Sequence, residues 1–158
     1  MNILFLCTGN SCRSILAEAT FNHLAPTNIR AMSAGSKPTG EVHPRSIALL
    51  KSKGISTDGY FSKSWDHLPK VPDIVVTVCS NAAGEDCPAY LGNLVRTHWG
   101  VEDPAKAIGT DAEINASFEL AYHILRKRIE AFLELPLEVL ASDKIKLKCE
   151  LDKIGQII

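Results

Sequence analysis

The chain has no long run of lysines or arginines, and its 17 basic and 18 acidic residues nearly cancel to a net charge of −1. That balance argues against a surface built for nucleic acid or anionic lipid headgroups, so any partner should be local to a pocket. Long apolar runs are missing too. The N-terminal stretch Asn2-Ile3-Leu4-Phe5-Leu6 is far too short for a membrane span or the apolar region of a signal peptide, and no basic leader precedes it. The expectation is a cytoplasmic protein with no membrane or nucleic-acid partner. No internal repeat, low-complexity tract or inter-domain linker interrupts the sequence. The histidines at 23, 43, 67, 98 and 123 lack metal-ligand spacing, and the cysteines lack the closely paired spacing of a zinc site. There are five cysteines, at 7, 12, 79, 87 and 149. An odd number without a secretory signal does not fit a disulfide framework. Neither a cofactor nor a structural metal is called for, and the thiols must be reactive or simply buried.

At 158 residues, with 46% apolar and 22% charged, the chain fits one globular domain. Periodicity predicts strands at about 2–6, 29–33, 73–78 and 94–99. Helices are expected from Ile15 to Leu24, ended by Pro26, and from Pro44 to Lys53, stopped by Gly54. A short helix is expected within 61–68. A long one is expected over 111–134, with Ile114, Phe118, Ala121, Tyr122, Leu125, Ile129 and Phe132 on one face, before Pro136 breaks it. Residues Leu137 to Ile158 read as one further amphipathic helix. The expected fold is α/β, a single-domain four-stranded parallel sheet flanked by helices. Residues 1–135 form its body, and 136–158 a C-terminal helical extension of the same domain. Ligands of such sheets bind beyond the carboxyl ends of the strands. Cys7, Cys79 and Asp103 each follow a predicted strand.

Behind the first strand stands Cys7-Thr8-Gly9-Asn10-Ser11-Cys12-Arg13-Ser14, opening a helix. A strand, tight turn and helix aim successive backbone N–H groups and a helix N-terminus at one point, which suits a tetrahedral oxyanion. A thiol there should ionise below its free pKa of about 8.5, and Arg13 offers a planar fork for two oxygens. The hydroxyls of Thr8, Ser11 and Ser14 can donate, Gly9 frees the turn and Asn10 can pin it. Cys12 reads as structural. Cys149, between Leu147 and Leu151, reads as filler.

This stretch resembles the phosphate loop of the low-molecular-weight protein tyrosine phosphatase family, and the order of elements matches over about 1–134. In that family the late Asp103-Pro104 supplies the general acid, which implies a phosphatase with Cys7 as nucleophile. The pair Cys79 and Cys87, eight positions apart in a small, polar stretch, instead resembles the arsenate reductases built on the same fold, as does His98-Trp99-Gly100 before Asp103-Pro104-Ala105. That resemblance implies reduction of arsenate to arsenite in arsenic detoxification. Cys7, Arg13, Cys79, Cys87 and Asp103 would be catalytic, thioredoxin the preferred reductant, and glutaredoxin with glutathione the other candidate. Residues 80–92 would rearrange, with Gly84 and Gly92 as hinges. Free cysteines are also commonly mere small hydrophobes, which is the alternative for 79 and 87. Asn10, Glu18 and Ser33 match positions that hold a monovalent cation in some relatives, whereas Lys63 stands where a further acidic ligand would align.

Overall fold

Four short aliphatic runs form the sheet: β1 (Asn2–Leu6), β2 (Arg30–Ala34), β3 (Ile74–Thr77) and β4 (Val95–His98). The computed structural model describes residues 1–79 and 94–158. All pairings among these strands are parallel, in the order β2-β1-β3-β4. The central strands β1 and β3 are covered on both faces, which is why they read as unbroken apolar runs rather than as alternating ones. Leu6 is level with Ala34 and Thr77, and Thr77 with His98. The chain therefore leaves all four strands along one edge, placing Cys7, Gly35, Cys79 and Trp99 together.

Five helices flank the sheet among the described residues: α1 (Arg13–Leu24), α2 (Pro44–Ser52), α3 (Asp111–Leu133), α4 (Leu137–Leu140) and α5 (Lys144–Ile154). The starts of α2 and α3 have local causes. His43 caps α2 through its ring, ahead of Pro44, and a reciprocal Thr110–Glu113 box opens α3. The predicted inward face of α3 is buried from Phe118 to Phe132. Its rings meet those of the sheet, with Phe5, Phe21, Trp99 and Phe132 in contact at centroid separations of 5.5–6.4 Å.

Two expectations are corrected. Residues 61–68 hold only the 3-10 turn Trp65–His67, begun by the Ser64 side chain accepting from Asp66 N–H. The tail is two helices rather than one, because Asp143 accepts from Lys146 N–H and starts a new helix. Leu147 and Leu151 of α5 are buried, while Cys149 faces outward.

Both outer strands carry side-chain partners. The Asn22 amide accepts from Ala31 N–H (2.8 Å) and donates to Ala31 C=O (3.0 Å) on β2. Past β2, Gly35 N–H donates to Lys63 C=O (2.9 Å) and Gly35 C=O accepts from Trp65 N–H (3.1 Å). At the other border, Lys148 Nζ donates to Arg96 C=O (2.8 Å).

Gly35 is where the turn after β1 rests on the end of β2. A Cβ there would lie 2.3 Å from Thr8 O and 2.7 Å from Cys7 O, both backbone atoms that cannot step aside. Gly35→Ala is therefore expected to destabilise the fold by about 2 kcal/mol or more, as overpacking against backbone does. Urea denaturation monitored by far-UV circular dichroism checks this.

Candidate functional site

Cys7 leaves β1 with its N–H bonded to Ala34 C=O (3.1 Å), so the sheet itself fixes where the loop begins. The next carbonyls are then claimed from outside. Thr8 C=O accepts from Lys37 N–H, Gly9 C=O from Thr39 N–H, and Ser11 C=O from His43 N–H, each at 3.0 Å. Ser62 and Ser46 hydroxyls add bonds to Gly9 and Ser11 C=O, both at 3.2 Å. In a trans peptide the N–H points opposite to the C=O, so outward carbonyls turn the N–H groups of Gly9, Asn10 and Cys12 inward. Gly9 N–H donates to Cys7. The result is a concave run of donors at the start of α1, an arrangement whose geometry suits an oxyanion.

Asn10 is the pivot. Its φ of 47° is left-handed, a conformation asparagine tolerates better than most residues. It is fully buried, and both ends of its amide are engaged. Nδ2 donates to Ser14 Oγ (2.8 Å) and Ser33 Oγ (2.9 Å), and Oδ1 accepts from Lys63 N–H (2.9 Å). Ser14 thus holds the loop through Asn10, and Ser33 donates onward to Glu18 Oε1 (2.5 Å). Burial pushes the Glu18 carboxyl up, opposed by Lys63 and Ser33. The Lys63 ammonium stands 3.8 Å from Glu18 Oε1 and over the Phe61 ring, and burial pushes its own pKa down. At the triad expected to hold a monovalent cation, Lys63 supplies the counter-charge to Glu18.

Arg13 opens α1 and turns its guanidinium across the loop. Nη1 donates to Val101 C=O (2.9 Å) and Nη2 lies 3.4 Å from Asp103 Oδ2. Its Nε is buried and makes no hydrogen bond among the described residues, leaving a donor unspent. Asp103 also caps the turn Pro104–Lys106 by accepting from Ala105 N–H (3.0 Å). Asp103 thus both shapes this turn and faces Arg13. A cleft of about 800 Å³ borders these groups, lined by Arg13, Cys79, Val101 and Asp103 on one side and by Ala121 and Ile124 of α3 on the other.

Cys79, just past β3, is buried beside Cys7. It accepts from Thr8 N–H (3.4 Å), contacts Thr8 Oγ1 (3.6 Å), and its side chain hydrogen-bonds to Cys7. This contact overturns one sequence expectation. The Cys7 thiol is not lowered but pushed above its ordinary value, first by the hydrogen bond with Cys79 and then by burial, against Arg13 and the Gly9 N–H. The motif alone contained no second thiol in this position, and that second thiol reverses the sign. Cys12 is buried at the helix start beside Ser11 Oγ (3.7 Å), and burial pushes its thiol up as well. Cys87, Gly84, Gly92 and the expected rearrangement of 80–92 lie outside the described residues.

The structure thus gathers Cys7 through Ser14, Cys79 and Asp103 at one end of the sheet. Sequence reading missed Gly35, whose lack of a side chain admits the loop, and the outside donors Lys37 and Thr39. Backbone donors leave no motif. Gly35 leaves one signal, its place two residues past a predicted strand, where close approach of another chain segment is common.

Comparison with known proteins bears on the same residues. The family model for low molecular weight phosphotyrosine protein phosphatase matches residues 2–146. A protein of Halalkalibacterium halodurans named arsenate reductase is 42% identical over 133 residues, covering 84% of this chain and 94% of its own length. Among solved structures, the arsenate reductase of Archaeoglobus fulgidus aligns with a TM-score of 0.70 at 25% identity, covering 84% of this chain and 99% of that one. A thioredoxin-dependent arsenate reductase of Corynebacterium glutamicum aligns with a TM-score of 0.56 at 27% identity, covering 82% of this chain and 61% of that one. With its cysteine-to-arginine loop, parallel sheet and late aspartate, the chain belongs to the low molecular weight phosphotyrosine protein phosphatase family.

Proposed function

We propose that the protein is an arsenate reductase that passes two electrons from its own thiols to arsenic, in arsenic detoxification. The observation that carries this reading is the Cys79 sulfur lying against Cys7 inside the oxyanion cradle. Hydrolysis of a phosphate ester needs a nucleophile, an arginine and an acid, and gives a second buried thiol no task. The names of relatives such as that of Halalkalibacterium halodurans support the reductase reading.

In the proposed sequence the Cys7 thiolate attacks arsenic of arsenate, held by the inward N–H groups and Arg13. Asp103, protonated for this step, gives its proton to the departing oxygen, which leaves as water. The Cys79 thiolate then attacks Cys7 Sγ. A sulfur–sulfur bond forms, the sulfur–arsenic bond breaks with its electron pair passing to arsenic, and As(V) leaves as arsenite. Cys87 attacks Cys79 Sγ and frees Cys7, moving the disulfide to Cys79–Cys87. An external dithiol restores the pair. Thioredoxin is the preferred donor, supported by the thioredoxin dependence of the Corynebacterium glutamicum relative, and glutaredoxin with glutathione is the other candidate.

The raised Cys7 pKa fits this order of events. While Cys79 holds Cys7, the buried pair resists ionisation; without that contact, Arg13 and the Gly9 N–H favour the thiolate against burial alone.

Two experiments follow. Removing the raising contact by Cys79→Ala should shift the pH dependence of Cys7 alkylation by iodoacetamide to lower pH, giving faster labelling at about pH 7 than in the parent. An unchanged profile would refute the pairing. A single turnover with arsenate, mapped by peptide mass spectrometry, should leave a Cys79–Cys87 disulfide in the parent and a trapped Cys7–Cys79 disulfide in Cys87→Ser. Normal multiple turnover by Cys87→Ser with thioredoxin would remove Cys87 from the sequence of steps.

A further inference from the structure

The family match ends at residue 146, inside α5, so residues 147–158 lie beyond the pattern that the relatives share. Those residues bond to the stretch that leads from β4 to Asp103. Asp152 Oδ1 accepts from Thr97 Oγ1 (2.7 Å), and Leu151 C=O accepts from the indole N–H of Trp99 (3.0 Å). Gly155 lies so close that a Cβ there would stand 2.7 Å from His98 O. Arg128 of α3 completes the set. It is buried, and its Nε donates to Ile157 C=O (3.0 Å) while Nη1 donates to Gly100 C=O (3.2 Å).

The next peptide belongs to the active site, since Val101 C=O accepts from Arg13 Nη1 (2.9 Å). Two arginines therefore grip consecutive carbonyls, Arg128 from the side of the tail and Arg13 from the side of the cradle. Two residues further on, Asp103 meets the same Arg13. Thr97, Trp99 and, through Arg128, Gly100 are thus tied to the tail at the start of the short path that leads to Asp103.

We propose that the C-terminal segment 147–158 is a positioning clamp for the reaction, acting through Arg128, Trp99 and Thr97 on residues 97–101 to hold Asp103 in register with Arg13 and Cys7. This rests on the assignment of Asp103 as the acid. Arg128 touches no reacting atom; it is a positioning residue. Small displacements of an acid or a guanidinium are costly, a displacement of about 1 Å reaching roughly a hundredfold in rate.

The test is a double-mutant cycle on the full-length, fully reduced protein, reading single-turnover arsenite formation at saturating arsenate, so that no external reductant enters. Arg128→Met is expected to slow this step about tenfold, with the arsenate concentration for half-maximal rate changed less than about twofold, and Arg128→Lys to recover most of the loss. Asp103→Asn should slow it about a hundredfold. The double variant should be no slower than Asp103→Asn alone, because a clamp that acts through Asp103 has nothing left to position. Losses that multiply would overturn the clamp, as would an unchanged rate in Arg128→Met beside a slow Asp103→Asn. A full rate in Asp103→Asn would instead sink the acid assignment itself. Should Arg128→Met fail to fold by circular dichroism, Thr97→Val and Trp99→Phe each remove one tail bond and enter the same cycle, where a loss absorbed by Asp103→Asn supports the clamp and a multiplying loss or an unchanged rate overturns it.

Discussion

The direction of a few peptide planes governs this molecule. A chain that follows β1 with a tight turn has no intrinsic reason to present its N–H groups to one point. It does so because Lys37, Thr39 and His43 N–H groups take the carbonyls on the outside. The segment after β2 therefore shapes this run of donors as much as the loop itself does. Asn10 completes the turn in a left-handed conformation, and its buried amide links the loop to α1, β2 and Lys63 at once. A half-satisfied buried amide would be a liability in such a place, whereas a fully bonded one specifies a single arrangement.

On that frame the electrostatics follow from packing. Arg13 and the inward N–H groups favour negative charge, while burial and a neighbouring sulfur oppose it at Cys7. The contact with Cys79 is the largest of the opposing causes, so the balance at Cys7 rests on a side chain brought in from beyond β3.

What could be read without coordinates was what is local. The loop from Cys7 to Ser14 announces itself because strand, turn and helix follow each other within a few residues, and the face of α3 announces itself through its helical repeat of about 3.6 residues. The convergence of Cys79 and Asp103 could be inferred because parallel strands all end on one side. The rest depends on contacts between distant segments. Lys63 beside Glu18, Gly35 beneath Thr8, and Arg128 between Gly100 and Ile157 have no periodicity to betray them. The sign of the Cys7 shift was missed for the same reason, since it depends on Cys79, on the far side of two intervening strands and helices in the chain. The break in the tail was available in principle, because Asp143 ahead of Lys144 is a good helix start, but continuous amphipathicity concealed it.

The treatment of the sheet borders has a bearing on how the protein behaves in a crowded solution. An open strand is a template on which another chain can add itself, the first step of swapping or of fibre growth. Here Asn22 imitates a neighbouring strand at Ala31, residues 63–65 do so at Gly35, and Lys148 answers Arg96 at the opposite border. Each of these contacts occupies a backbone group at a border of the sheet that an added strand would otherwise claim.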